Sequence, residues 1–182
     1  MSQPAAAIKG APLLRIENLR TWFSSRQQVV RAVDGISLQI ERGETFALLG
    51  ESGCGKSMTA LSIMQLLPEV ALRRMSGEVL LEGERLLDLS ERKMRSVRGG
   101  RIAMIFQEPM TSLNPVLNVG EQVGEVLQLH HQLRGAAVRS RTLDLLRDVG
   151  LPDPEQRLSA YPHQLSGGMK QRVMIAIALA GE

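Results

Sequence analysis

This sequence has few of the cysteines that stabilise secreted proteins through disulfides and small domains through structural metal sites. One of its 182 residues is a cysteine, Cys54, which excludes an internal disulfide and a multi-cysteine metal site and fits a reducing cytoplasm. Aromatic residues make up only 3%, so a core must come from Leu, Ile, Val, Met and Ala. Because 43% of the residues are nevertheless hydrophobic, the composition indicates a globular protein with a sizeable core.

Long hydrophobic runs and a strong excess of one charge are also absent. The longest apolar run, Val173 to Ala180, has eight residues, whereas a transmembrane helix needs about twenty, so we expect no membrane span. Lys9, Gly10 and Pro12 interrupt the apolar stretch that a secretory signal would need. The net charge of +3, spread over scattered arginines, does not indicate nucleic-acid binding.

The patterning predicts a loose tail over residues 1–12 and one domain over 13–182, β-rich over 13–107 and helical over 108–182. The apolar run Thr45 to Leu49 is typical of a strand buried inside a parallel sheet. The other predicted strands are near Leu14–Phe23, Val29–Val33, Ile36–Ile40, Glu78–Leu81, Arg85–Leu87 and Arg101–Phe106. The predicted helices are Lys56–Leu67, one with Val119, Val123, Val126 and Leu127 on one face, one from Val138 to Val149 before Gly150, and one after Ser166.

A glycine-rich loop joins the predicted buried strand to the first helix and matches G-x-x-x-x-G-K-[ST]. Its residues are Gly50, Glu51, Ser52, Gly53, Cys54, Gly55, Lys56 and Ser57. The glycines let backbone N–H groups point at phosphate oxygens, Lys56 would reach the β- and γ-phosphates, and the Ser57 hydroxyl would ligate Mg²⁺. Cys54 is either a reactive thiol or a small loop residue, and we favour the second.

A second glycine motif precedes the last helix. Ser166 is a good N-cap, and Gly167 and Gly168 leave the first N–H groups of that helix uncovered, so this start is either a plain cap or an anion site. Together with the phosphate loop, the stretch Leu165–Gly168 resembles the L-S-G-G-Q signature of the nucleotide-binding subunits of ATP-binding cassette (ABC) transporters. Met169 stands in place of the usual Gln, and the serine and glycines are kept.

The resemblance to the ABC family implies a fold and a set of roles. The fold would be α/β, a P-loop NTPase core with an N-terminal antiparallel β part and an inserted helical lobe. Gln107 would reach Mg²⁺ and the attacking water, and Phe23 would stack on the adenine of ATP, with Trp22 as its rival. Ser166, Gly167 and Gly168 would contact the nucleotide bound by a second subunit.

The amino-acid sequences of three segments are similar to those of one branch of that family, the importers of di- and oligopeptides, nickel and glutathione. Glutathione importers are the nearest of these. The segments are Phe106–Pro115, Val119–Gln122 and Tyr161–Gln164. The resemblance implies a peripheral subunit on the cytoplasmic face of the bacterial inner membrane. Its partners would be a second ATP-binding subunit, identical or different, transmembrane permease subunits and, indirectly, a periplasmic substrate-binding protein, with no nucleic acid.

One expected element is missing from the sequence. None of the five aspartates follows four consecutive apolar residues, so we find no strand that ends in an Mg²⁺-holding Asp with a neighbouring catalytic Glu. In the family that strand follows the signature helix, and we therefore expect the chain to stop inside its domain and to be inactive alone. Two alternatives stay open: a soluble ABC ATPase of DNA repair or translation, and a non-catalytic nucleotide-binding fragment.

Overall fold

The structure, a computed structural model, describes residues 11–24, 28–68, 72–106 and 112–181. The chain divides into two units, Met1–Met94 and Arg95–Glu182. The first unit carries the sheet and the phosphate loop, and the second consists of helices and connecting loops over its described residues. The predicted tail and the predicted division at residue 107 stay predictions.

A four-stranded antiparallel sheet forms the first unit, in the order β2-β1-β3-β4. Its strands are β1 (Leu14–Ser24), β2 (Val29–Ile40), β3 (Leu72–Leu81) and β4 (Glu84–Arg85). The two strands predicted between residues 29 and 40 are one continuous strand. The strand predicted from Arg85 to Leu87 is wrong beyond Arg85, because residues Leu86–Asp88 form a 3-10 turn that buries Leu86.

Strand β1 follows the predicted alternation of apolar and polar residues. Leu14 and Ile16 are buried, Asn18 takes a left-handed φ of 47°, and the alternation resumes with Leu19 and Thr21 buried. The register of β1 against both neighbours shifts across this point. This irregularity is a β-bulge at Asn18. Because of it, the apolar residues on both sides of Asn18 stay on the packed face of the sheet.

The prediction of a buried strand from Thr45 to Leu49 is wrong. Residues 41–50 carry no strand, and none of the four strands in the described part of the chain pairs with them. Phe46 and Leu48 are each 41% exposed and Leu49 is 89% exposed. A strand forms only where its N–H and C=O groups meet those of a neighbour, and this segment has no such neighbour in the described structure.

Two further elements are shorter than predicted. Over residues 101–106 the expected strand is reduced to one isolated bridge between Arg98 and Ile102. Helix α1 covers Lys56–Ile63 and stops before Leu67, since Gln65 takes a left-handed φ of 52°. A second short helix, α2, covers Glu91–Val97.

Over residues 113–181, the second unit contains four helices. They are α3 (Val119–His131), α4 (Ala136–Asp148), the single turn α5 (Pro154–Arg157) and α6 (Gly167–Leu179), with a 3-10 turn at Pro162–Gln164. Val123 and Leu127 of α3, Leu146 of α4 and Val173 of α6 lie in one buried cluster, as the helical spacing predicts. Gly150 follows α4 with φ 68°, which confirms it as the predicted residue after the helix end. No described helix is long and apolar enough to cross a membrane.

Candidate nucleotide-binding site

The loop from Gly50 to Ser57, predicted to bind phosphate, has two glycines in left-handed conformations. Gly53 and Gly55 take left-handed φ angles of 85° and 94°, which side chains other than glycine rarely adopt. Helix α1 begins directly after Gly55, and the loop residues 50–54 are exposed to solvent. The predicted context of a glycine-rich loop that opens a helix is therefore present, although the segment before the loop is not a strand.

Lys56 lies across the mouth of its own loop. Its ammonium donates hydrogen bonds of 2.6 Å to the carbonyl oxygens of Gly50 and Glu51. The Cys54 sulfur lies 3.5 Å from the same nitrogen. The positive charge thus sits within the ring of loop atoms, at the position from which a lysine can contact a phosphate held by the loop.

The start of helix α1 is open to an anion. Gly55 caps it without a side-chain hydrogen bond, and among the described residues of the first turn none is acidic. The first N–H groups of a helix have no partner within the helix, and they carry positive potential. This donor set, with the Lys56 ammonium beside it, fits a polyphosphate better than a cation. The Ser57 hydroxyl is exposed at the same helix start, where it could ligate a metal ion held by that phosphate.

The sheet holds helix α1 at both ends. At its start, a Cβ on Gly55 would collide with the carbonyl oxygen of Ala32 in β2, so only glycine allows this close approach. In its last turn, the buried hydroxyls of Ser62 and Thr21, in β1, are 2.7 Å apart. These contacts could not be predicted from the sequence, because a polar residue in a strand and a serine in a helix carry no signal of being partners.

The two aromatic candidates for adenine lie on opposite faces of β1. The register shifts after Thr21, but the extra residue, Ala32, is on β2, so alternation continues along β1. Phe23 therefore shares the face of Thr21, the face that contacts α1. Trp22 lies on the other face, where the Arg31 guanidinium stands 4.8 Å from the centre of its ring. Phe23 and the phosphate loop are therefore on the same side of the sheet.

The second glycine motif starts helix α6. The Ser166 hydroxyl accepts a 3.3 Å hydrogen bond from the Met169 N–H, which confirms the predicted N-cap. Gly167 and Gly168 are exposed, and beyond their chain neighbours and the backbone of their own helix no described atom lies within 4 Å of where a Cβ would stand on either. Ser166 thus caps one N–H group of this helix start, and the space beside Gly167 and Gly168 is open.

Gln107, predicted to reach the metal and the attacking water, lies outside the described residues. Among those residues, no group of three or more His, Cys, Asp or Glu could hold a metal ion. The described chain therefore offers the Ser57 hydroxyl, and not a carboxylate cluster, as its donor to a cation at the phosphate loop.

Comparison with known proteins agrees with this geometry. A family model described as ABC transporter matches residues 33–182. The chain belongs to the ABC transporter family. The match includes both the phosphate loop and the second glycine motif.

Two curated relatives of this ABC protein carry names from peptide transport. It is 52% identical over 92% of its length to a probable peptide ABC transporter ATP-binding protein of Sinorhizobium fredii, of which it covers 50%. It is 49% identical over 93% of its length to the dipeptide transport ATP-binding protein DppD of Bacillus subtilis, of which it covers 51%. The chain thus spans about half the length of these relatives.

Solved structures show the same fold. One, described as the dimeric structure of a bacterial ABC transporter cassette, matches with a TM-score of 0.78 at 30% identity, over 92% of this chain and 69% of that chain. Another, with the same scores and coverage, is a dimeric post-hydrolysis state of an ATP-binding cassette bound to ADP and inorganic phosphate. These matches confirm the predicted P-loop ATPase fold with an antiparallel β part and a helical part.

Proposed function

We propose that this chain is part of the ATP-hydrolysing subunit of a bacterial importer of peptides. The observation that carries the proposal is the Lys56 ammonium, held within a glycine loop at a helix start that has no side-chain cap. The names of the relatives favour peptide transport over DNA repair, translation or a purely non-catalytic role. Glutathione, a tripeptide, falls within the same substrate class.

The phosphate loop would bind the nucleotide through its backbone. The N–H groups at the start of α1 would donate to the β- and γ-phosphates, and Lys56 would exchange its carbonyl partners for phosphate oxygens. Mg²⁺, held by Ser57, Gln107 and the phosphates, would supply neutralising charge. Gln107 would orient the attacking water, and Phe23 would stack on the adenine.

A second subunit would complete each site. The open helix start at Ser166, Gly167 and Gly168 would contact the γ-phosphate bound by the partner, so ATP would close the dimer. We propose that the second subunit is identical or homologous. Closure of the dimer would move the transmembrane permease subunits, which it contacts at the cytoplasmic face of the inner membrane. A periplasmic binding protein would deliver the peptide to these permeases.

Titration of a fluorescent ATP analogue tests the loop assignment. Lys56→Ala removes a charge-assisted contact and should weaken binding by about 1.5–3 kcal/mol. Lys93→Ala, which removes an exposed lysine of α2, is the matched control and should bind like the parent. Equal affinity of Lys56→Ala and the parent would refute the assignment.

A further inference from the structure

A buried pair of hydroxyls links the strand of Phe23 to the helix of the phosphate loop. Thr21 and Ser62 are each fully buried, and their oxygens lie 2.7 Å apart. The Ser62 hydroxyl donates a 2.6 Å bond to the Met58 carbonyl of its own helix. A hydroxyl has one proton, so Ser62 accepts in the other bond and Thr21 is the donor. The hydroxyl of Thr21 in the strand therefore donates to the hydroxyl of Ser62 in the helix.

The pair stands between the two parts of the candidate site. Thr21 is two residues from Phe23 on the same face of β1, and Ser62 is in the helix that Lys56 begins. Near the other end of that helix, Gly55 packs against the Ala32 carbonyl. Ala32 is the β2 residue skipped in the pairing with β1, because Thr21 pairs with Val33 and Trp22 with Arg31. Helix α1 is thus located against the sheet by one backbone approach and one buried hydrogen bond.

We propose that Thr21 and Ser62 are positioning residues that set the separation between the base-stacking ring and the phosphate loop, an inference that rests on the proposed function. ATP bridges both parts, whereas inorganic triphosphate engages the loop alone. Loss of the hydrogen bond should therefore weaken ATP binding and spare triphosphate binding. A bond that served only the fold would affect both ligands alike.

The test compares the two ligands by calorimetric titration of the 182-residue chain. Thr21→Val keeps the shape of the side chain and removes the donor, so ATP affinity should fall about three- to tenfold while triphosphate affinity stays within about twofold. Thr21→Ser keeps the hydroxyl and should restore ATP affinity. Ser37→Ala is the control, because it removes a hydroxyl of the same sheet that accepts from the Asn18 N–H at an exposed site.

A double-mutant cycle with Phe23 sharpens the test. In a Phe23→Ala background the base contact is gone, so Thr21→Val should have no further effect on ATP affinity. An equal loss for ATP and triphosphate, or an unchanged ATP affinity, would overturn the proposal. If Thr21→Val does not fold, Ser62→Cys weakens the same bond at similar volume and must give the same split between ligands. A parent chain that binds neither ligand would refute the proposed function itself.

Discussion

The helical unit and residues 45–49, before the phosphate loop, differ in whether their backbone groups form regular hydrogen bonds and whether their apolar side chains are buried. Helices α3, α4 and α6 make their hydrogen bonds internally and bury Val123, Leu146 and Val173 in one cluster. Residues 45–49 are more apolar than those helices, yet they carry no strand and expose Leu49 and Phe46. Apolar composition therefore does not decide burial; the availability of a partner does.

Chain topology explains the difference. A helix needs only a neighbouring apolar face, and α3 and α4 lie next to each other in sequence. A buried parallel strand needs a strand on each side, and parallel neighbours come only through long crossover connections.

The largest effect should come from breaking the helical core. Leu146→Ala removes a side chain with no exposed surface and should lower the free energy of unfolding by about 2–5 kcal/mol. Leu48→Ala, the same substitution in the exposed segment, should change it by less than about 0.5 kcal/mol. Urea unfolding checks both, with far-UV circular dichroism for the helices and Trp22 fluorescence for the sheet. A comparable loss for Leu48→Ala would mean that the segment is packed.

Elements built from local contacts could be predicted from the sequence. The Ser166 cap, the glycine after α4 and the apolar face of α3 each depend on residues within a few positions of one another. The alternation of Leu14 and Ile16 was equally informative, because the adjacent strand β2 lies immediately downstream and pairs with β1.

Elements that depend on distant partners could not be predicted. The strands expected at residues 45–49 and 101–106 had the right composition but lacked a pairing partner in the described structure. The Thr21–Ser62 bond joins residues 41 positions apart, and neither residue differs from an ordinary polar position in a strand or helix. Periodicity reports which face is apolar, not which polar atoms meet.

A smaller effect is expected on ATP affinity, and it should differ between aromatic residues on the two faces of the sheet. Phe23→Ala should weaken ATP binding by about 1–3 kcal/mol, the range for bases stacked on aromatic side chains. Trp22→Ala removes a ring on the opposite face and should mainly disturb its contact with Arg31. Titration with an ATP analogue checks the ranking, and the reverse order would assign the base to Trp22.

The exposed segment should promote self-association. Leu49→Ser removes an 89% exposed apolar side chain, so it should weaken association of the 182-residue chain by up to about tenfold. Leu129→Ser, at a 69% exposed position on α3, is the matched control. Sedimentation velocity over a concentration series measures both. A larger effect of Leu129→Ser would place the associating surface on the helical unit instead.

The smallest effect concerns an ion pair that links two helices of the packed unit. The Arg147 guanidinium of α4 hydrogen-bonds to Glu155 of α5 and attracts it, which lowers the pKa of the Glu155 carboxyl and raises the pKa of Arg147. Both side chains are half-exposed, so solvent screens the pair and its contribution to stability is small.

The pH dependence of this contribution has a definite sign. Since the pKa of Glu155 is lower in the folded state, the pair stabilises the fold above the ordinary carboxyl pKa, and the gain is lost as pH falls through the lowered value. Glu155→Gln should therefore lower Tm slightly at about pH 7, and the difference from the parent should shrink as pH falls below the ordinary carboxyl pKa. Glu125→Gln, at an exposed position on α3, controls for loss of one negative charge. A Tm difference that widens as pH falls would show that Glu155 acts through something other than its charge.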